Sequence, residues 1–492
     1  MRARMRFRTF VLLTLVAGML IPGTGKAITD EALFRNFRFN FVNPGGRTLG
    51  LAGAFIAAAD DATAAQANPA ALHYISGSEF FIEFRSLQTD TQISSSSAGS
   101  LVHPNQPGDL PFLSLTEVVN PDDISNVSFL SYAQPFKLGA KQRRLTLAFS
   151  RQILLQQKLS LTENDAATEA RIASDVFPVI PNEDNTGLVR YSIPLAVNGD
   201  SDTEIVYWNA GASLQVHRDF SVGLTLSLAT LDIQADSLGA FTDPQFQILD
   251  PTNPRLPGSE DTDFFRSVIN DTDSDLVYTI GLHWHPDSVF ATGISPWQFG
   301  AVMRKGAEFS FAQERFKNGV LNATAPVSLN VPDRYGVGAS YKPGDNWVFT
   351  MDYERIEYSD LLEGFEVGVN PLTDEDVTDV ILGSTFARDP QYDVEDADVF
   401  RIGAERIFGL RNGVFTVRAG YFRAPDNKIA MTSFSEDPTE NSVYLDAFSG
   451  GEDENHFTGG ATYGFGHHTI DIGADFFSGG KQLVVSYIFR RF

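Results

Sequence analysis

The sequence predicts an all-β protein: a closed antiparallel transmembrane β-barrel of about fourteen strands, plugged by a small N-terminal helical hatch. Three observations predict it. Long segments alternate apolar and polar residues, the links between them sort into short and long, and the N-terminus is built for export.

The export signal comes first. Arg2, Arg4, Arg6 and Arg8 precede an apolar run from Phe10 to Ile21, and Gly25 and Ala27 stand at the small-residue positions of a cleavage site. The run is shorter than the roughly 20 residues a spanning helix needs, so residues 1–27 are expected to be a signal peptide. No later apolar run reaches spanning length, which leaves an exported soluble chain or a β-barrel. The charge balance, 37 Lys+Arg against 62 Asp+Glu for a net −25, excludes a nucleic-acid partner, which needs clustered positive charge. With no cysteine there is no disulfide framework, thiolate metal site or cysteine nucleophile. No cofactor is expected.

Alternation supplies the strands. In 469–476, Ile470, Ile472, Ala474 and Phe476 oppose Thr469, Asp471, Gly473 and Asp475; in 347–354, Trp347, Phe349, Met351 and Tyr353 oppose Val348, Thr350, Asp352 and Glu354. Leu276, Tyr278, Ile280, Leu282 and Trp284 form a third such face. Period two with one apolar face means a sheet with one side out of water. Fourteen segments read this way, among them 143–156 as the third strand and 296–310 as the seventh. Long links near 234–273, 311–333, 358–397 and 424–454 alternate with short ones near 217–219, 344–345 and 410–412. A soluble sandwich has no reason to sort its links by parity; an outer-membrane barrel does. In hydrocarbon an open sheet edge leaves backbone groups unsatisfied, so the strands must close. Tyr207, Trp208, Trp284, Trp297, Tyr341 and Trp347 suit interface girdles. The last strand presents Leu483, Val485, Tyr487 and Phe489 on one face and ends at Phe492; such a terminal aromatic strand resembles the signal read by barrel assembly machinery. The acids of the long links, including Asp271, Asp273, Asp275, Asp393, Glu395, Asp396 and Asp398, read as solvated loops. Divalent-cation binding beside lipopolysaccharide is the sharper alternative. Leu276 stands where an EF-hand loop needs glycine, which excludes that motif.

Residues 28–77 do not alternate. Small residues dominate them, so backbones can approach closely, and Asn68-Pro69 reads as an N-cap followed by proline at the first helical position. A segment this compact fits a barrel lumen. The expected organisation is therefore signal peptide 1–27, hatch 28–77 and barrel 78–492.

The run holding Gly46, Arg47, Gly50, Gly53, Ala54, Phe55, Ala59, Asp60, Asp61, Ala62, Asn68, Pro69 and Ala70 resembles the N-terminal hatch of the FadL-type long-chain fatty-acid transport family. Val331-Pro332-Asp333-Arg334-Tyr335-Gly336-Val337-Gly338, continuing to Tyr341, Trp347, Asp352 and Ser359, is similar to that family's mid-barrel strand pair. The resemblance implies a fourteen-stranded barrel of a Gram-negative outer membrane, monomeric, with both termini periplasmic. It implies passive transport of a hydrophobic small molecule, a long-chain fatty acid first, with no enzymatic step. Ligand would be captured by two extracellular loops, here 234–273 and 311–333, holding Phe241, Phe246, Leu249, Phe264, Phe265, Phe316 and Leu321. It would pass to a lumenal pocket, and hatch movement would release it through a wall gap beside a kinked third strand; 143–156 has no obvious Gly or Pro to kink it. Inward Arg304, Arg401 and Arg418 would pair with a ligand carboxylate or with lumenal acids such as Glu405 and Asp352. The competing readings are a FadL-like barrel serving protein secretion, a general porin and an outer-membrane enzyme. The hatch argues against an open porin. The lack of a G-x-S-x-G elbow argues against the enzyme. His283 and His285, flanking Trp284, are expected to face the lumen together.

Overall fold

The structure is a computed structural model that describes residues 37–101, 110–139, 143–161, 168–171, 189–190, 192–242, 247–248, 262–290, 295–362, 391–433 and 453–491. The expected signal peptide, Phe246, Leu249 and Phe492 lie outside them. The long strands are β1 (Ser78–Leu101), β2 (Leu110–Leu138), β3 (Arg143–Leu161), β4 (Ser192–His217), β5 (Phe220–Thr242), β6 (Thr262–Trp284), β7 (Trp297–Arg304) and β8 (Glu308–Lys317). They continue as β9 (Val320–Asn330), β10 (Arg334–Tyr341), β11 (Trp347–Ile356), β12 (Ala397–Leu410), β13 (Gly413–Ala424), β14 (Glu454–Phe465), β15 (His468–Phe477) and β16 (Gly480–Arg491).

From β1 to β7 each strand pairs antiparallel with the next. β7 then pairs with β10, and β10 to β16 continue in order. β16 closes on β1 from Ser78↔Arg491 to Thr89↔Gly480. Fourteen strands thus make a closed wall, and β8 and β9 stand outside the count.

The wall is inside out relative to a soluble barrel. Leu224, Leu226, Leu228, Leu276, Ile280, Leu282, Phe349, Met351, Phe400, Ile402, Ile470, Ile472 and Phe476 are exposed on its outer face, while Thr225, Ser227, Asp352, Glu405, Asp471 and Ser486 are buried on the inner one. An exposed apolar belt around a closed wall is the surface that hydrocarbon solvates. Among the described residues no helix is long and apolar enough to cross a membrane; this wall crosses with strands. Trp208, Trp284, Trp297 and Trp347 are on the outside, but Tyr207, expected in a girdle, is buried in the lumen: it is one residue out of phase with Trp208, and period two sends it inward.

Three departures from the expected strands matter for the lumen. First, 311–333 is not a loop. β8 and β9 form a hairpin closed by Asn318 and Gly319, both at positive φ (51° and 77°), the backbone that Asn-Gly adopts in a tight turn. The expected strand 296–310 is correspondingly cut after Arg304. There the β7–β8 link crosses the β9–β10 link so closely that a Cβ on Gly306 would lie 1.6 Å from the Val331 carbonyl oxygen. Likewise β5 and β6 extend far into 234–273. Phe241 lies in β5, Phe264 and Phe265 in β6, Phe316 in β8 and Leu321 in β9, so none of these five is a loop residue.

Second, β6 pairs with β7 up to Thr279↔Arg304 and with β8 only from Ile269↔Gln313 to Phe265↔Lys317. Carboxylates fill the interval. Asp271, Asp273 and Asp275 accept from the backbone N–H groups of Ala312 (3.1 Å), Ser310 (2.7 Å) and Glu308 (3.0 Å). These acids are strand residues zipping a seam rather than solvated loop charges. Asp273→Ala is expected to leave the Ser310 amide without its acceptor and to speed its hydrogen exchange at least about tenfold, while Asp273→Asn, which keeps an oxygen acceptor, slows that loss. Equal exchange in all three proteins would remove the seam from the account.

Third, β3 carries a bulge between Ile153 and Leu155 in its pairing with β4, and its pairing with β2 ends at Phe129↔Gln152. The third strand is irregular without a Gly or Pro, because one extra residue suffices to bend a strand.

Candidate functional site

The lumen is filled at one level by residues 45–77. The sequence here makes little regular structure: α1 (Gly46–Gly50), α2 (Ala64–Ala67) and a 3-10 turn (Pro69–Tyr74) capped by Asn68, whose side chain accepts from the Ala70 N–H. The expected helical hatch is therefore mostly irregular backbone. Its polar groups need partners that helices would otherwise supply, and the inner wall supplies them. Ser213 and Ser221 donate to the Ala70 carbonyl, each at 2.9 Å, and Thr225 donates to Ala65 at 2.9 Å. Asp352 accepts from Ile56 N–H at 2.8 Å, Glu79 from Ala62 N–H at 2.5 Å, and Glu83 from Gly45 N–H. Asn68 donates to the Ile56 and Leu282 carbonyls, both at 3.0 Å. The polar face that alternation puts inside the barrel caps an irregular backbone.

Small residues let that backbone reach the wall. A Cβ on Gly223 would lie 2.2 Å from Ala70 N, and one on Gly281 2.2 Å from Asn68 Oδ1; the two glycines face each other across β5 and β6. On the far side a Cβ on Gly473 would lie 2.4 Å from the Gly46 carbonyl oxygen, and its partner across β14 and β15, Gly460, has the Gly50 Cα at 3.4 Å.

Charge fixes the orientation. Arg47 meets Asp60 and, at 3.1 Å, Glu405; Arg418 meets Glu405 at 2.5 Å and Asp471 at 3.5 Å. Burial alone would raise the Asp60 carboxyl, but Arg47, Lys342 and Arg490 more than offset it and hold it below its usual range. Asp61 accepts from the Thr63 N–H at 2.9 Å and from its hydroxyl. Phe55 is buried, with the Arg47 guanidinium 5.2 Å from its ring centre. The structure therefore gathers Gly46, Arg47, Gly50, Asp60, Asn68, Pro69 and Ala70 onto the wall, and Gly53 packs on Arg401.

His73 closes the lower end of this segment. Burial pushes its imidazole down to about 4, with Arg144 and His285 adding to the effect against the Ala70 carbonyl. The buried form is neutral, so the contribution of His73 to seating is complete above its ordinary 6.5 and is lost as pH falls from there toward 4. Amide protection over 67–74, corrected for intrinsic exchange, is expected to fall across that window, and a His73→Gln protein is expected to lack this component. His283 is buried and its Nε2 lies 3.0 Å from the Ala57 carbonyl oxygen, whereas His285 lies past the strand end at 3.1 Å from the Ser295 carbonyl. Both rings stand beside Tyr74 of the inner segment, at 5.1 and 6.3 Å between ring centres, so the two histidines share the inner side as expected, His283 on the strand and His285 just past its end.

Beyond this segment, toward the long links, the lumen turns apolar. Leu154, Leu155, Ile205, Tyr207, Leu231, Ile233, Ile269, Phe309, Phe311, Leu329, Ile356 and Val399 pack into one buried cluster. Phe37, Phe39 and Phe41 run through it, with Phe39 stacked on Phe41 at 5.4 Å. At its base three guanidiniums meet one carboxylate: Glu354 lies 3.0 Å from Arg304, 3.5 Å from Arg334 and 3.6 Å from Arg401. Of the arginines expected to choose between ligand and lumenal acid, Arg418 takes Glu405, and Arg304 and Arg401 take Glu354, an acid the sequence reading placed on the inner face but did not pair. The alternation of Phe37-Arg38-Phe39-Asn40-Phe41, inside a segment that otherwise does not alternate, is the sequence signal of this apolar run. Elsewhere the carboxylates of Asp333, Glu357 and Asp360 lie within 4.8 Å of one another, but Asp333 accepts from Gly306 N–H and meets Lys305, and Asp360 accepts from Asp333 N–H.

No family model and no curated protein matches the sequence. Solved structures do match the architecture. A FadL homologue of Pseudomonas aeruginosa is similar over 92% of this chain and 98% of its own, with TM-score 0.51 and 11% identity. The toluene transporter TbuX of Ralstonia pickettii is similar over 92% and 100%, with TM-score 0.50 and 15% identity. A TodX deletion mutant, described as a monoaromatic hydrocarbon channel, gives TM-score 0.51 and 14% identity over 92% of this chain and 100% of that one. The chain has the FadL-type fold. The inner segment at 45–77 lies in the lumen, and the apolar cluster lies between it and the long links.

Proposed function

We propose that this protein is a passive outer-membrane channel for hydrophobic small molecules, a long-chain fatty acid first among them. The observation that carries the reading is the apolar cluster inside a wall whose inner face is otherwise polar. A water-filled pore has no use for buried Phe, Leu and Ile on its axis, whereas an acyl chain gains roughly 0.8 kcal/mol per CH₂ buried there. The names of the similar structures, toluene transporter and hydrocarbon channel, support the same class of cargo.

In this reading Phe241, Phe246, Leu249, Phe264, Phe265, Phe316 and Leu321 capture ligand at the long-link end, which faces outward with both termini periplasmic. The plug from Gly46 to Tyr74 is anchored on many sides, so the moving part is the strap Phe37–Val42. Ligand shifts it only by binding better to the displaced state. Mass spectrometry of organic extracts from the detergent-purified barrel tests the proposal. A fatty acid or hydrocarbon at near-stoichiometric amount is expected; a barrel that carries none and copurifies with another protein would turn the reading toward secretion.

A further inference from the structure

We infer that the outer wall at the short-link end carries a phospholipid site: Arg406 and Arg411 receive the phosphate of an anionic phospholipid, and the apolar outer face of β11 and β12 receives its acyl chains. This site stands on the lipid-facing wall alone, whatever the barrel transports. Only its assignment to the periplasmic leaflet rests on the orientation proposed above.

Arg406 faces outward. It pairs across the ladder with Trp347 at the start of β11, and alternation places Phe400, Ile402 and Phe408 on the same side. Its guanidinium lies 4.8 Å from the Trp347 ring centre and 5.6 Å from that of Phe408. The aromatic surface continues on both sides. Trp347 stacks on Phe349 at 5.7 Å, and Phe408 lies 6.2 Å from Phe415 of β13. All four rings are exposed. Two of them hold the guanidinium by cation–π attraction at the margin of the apolar belt.

Ring contacts use the face of a guanidinium and leave the N–H groups in its plane unused. Among the described residues Arg406 has no hydrogen bond and no carboxylate partner. Its neighbour in sequence, Glu405, points into the lumen and is taken by Arg47 and Arg418. Arg411 stands exposed in the β12–β13 turn at the same end of the ladder, also without a carboxylate partner. Asp345, the one acid of the β10–β11 turn, meets neither. The imbalance belongs to this end of the wall. At the long-link end the exposed Arg266, Arg355 and Arg423 meet Asp236, Asp396 and Asp453. At the short-link end Arg143, Arg406 and Arg491 face outward, and among the described residues no Asp or Glu faces outward from the strand ends there.

A cation at the margin of hydrocarbon is costly without an anion. The layer at that height is made of lipid head groups, and the planar guanidinium fork fits phosphate oxygens. A soluble protein would reach Arg406 only by displacing lipid from exposed aromatic rings, so the lipid itself is the occupant. Two guanidiniums with no balancing acid favour a net negative head group over a zwitterionic one.

The test uses the full-length barrel in phosphatidylcholine vesicles. Trp208→Phe, Trp284→Phe and Trp297→Phe leave Trp347 as the emitter among the four tryptophans. Phosphatidylglycerol or phosphatidylcholine, brominated near the head group, is added in small proportion, and quenching of Trp347 gives the relative affinity of each lipid. Phosphatidylglycerol is expected to be preferred at least about fivefold, near 1 kcal/mol. In Arg406→Gln/Arg411→Gln the two lipids are expected to come within about twofold, whereas Arg143→Gln/Arg491→Gln, on other strands, keeps the preference. Heat-dependent gel mobility reports the fold of each variant. If the first double variant does not fold, Arg406→Gln and Arg411→Gln alone are each expected to lose part of the preference. Equal quenching by the two lipids with all arginines intact overturns the site. A preference that survives Arg406→Gln/Arg411→Gln, or that Arg143→Gln/Arg491→Gln removes equally, overturns its assignment to these two residues.

Discussion

Gly223→Val is expected to give a folded barrel whose plug does not seat. The new side chain would begin 2.2 Å from backbone atoms of Pro69 and Ala70, and backbone cannot swing aside as a side-chain tip can. Its partner Gly281 is filled by Asn68 in the same manner, so β6 offers no retreat. Ordinary overpacking costs about 1–3 kcal/mol; a clash with backbone lies at or above the top of that range. The whole anchorage at this level fails together, because Ser213 and Ser221 reach the Ala70 carbonyl only when the 3-10 turn lies against the wall. Proteolysis within 45–77 is expected to speed at least about tenfold, the factor that 1.4 kcal/mol gives, and ion conductance is expected to appear in planar bilayers. Gly464→Ala is the control, since a Cβ there has its nearest neighbour at 3.6 Å. Unchanged protease resistance in Gly223→Val would mean that the plug is not held by close backbone contact.

Glu83→Ala is expected to be the most damaging single loss of a charge. Glu83 is fully buried and serves three donors: the Gly45 N–H, the Ser128 hydroxyl at 2.5 Å and the Arg85 guanidinium at 2.8 Å. Truncation leaves Arg85 buried without that carboxylate, and breaking a buried pair costs about 3–5 kcal/mol. The loss falls where the chain enters the plug, since Gly45 sits at φ 112° and Glu83 holds its amide. A lower unfolding temperature by heat-dependent gel mobility and early release of residues 37–45 are the expected readouts. Ser128→Ala removes one neutral donor and is expected to cost about 1 kcal/mol. Similar losses from the two substitutions would remove Glu83 from its place as keystone of the plug entrance.

Much of this architecture was legible in the chain. The strand faces were read correctly wherever alternation was unbroken, as at Leu276 to Trp284 and Ile470 to Phe476, because period two is a local property of the backbone. The Asn68 cap before Pro69 was legible for the same reason. The hairpin of β8 and β9 is not among the expected strands, although Asn318-Gly319 announces such a turn. It lies where the order of the links predicts a long loop, and the alternation through 296–310 joins only the first residues of β8 to β7 across the break at Gly306. Asp271, Asp273 and Asp275 were read as solvent-facing because spacing alone cannot show that a neighbouring strand has stepped out of register and left three amides to be filled.

The sequence by itself determined the closed barrel, its fourteen wall strands, which face meets lipid, and the small-residue character of the segment at 45–77. These follow from local periodicity and from the rule that no backbone group stays unpaired in hydrocarbon. Only the tertiary structure decided what the inner face is for. Whether Arg304 meets Glu354 or Asp352, whether Gly223 faces open water or Pro69, and whether Phe37, Phe39 and Phe41 lie in solvent or along the barrel axis depend on contacts between residues tens to hundreds of positions apart. Those contacts are fixed by closure and by the fit of the plug, and neither leaves a periodic mark on the chain.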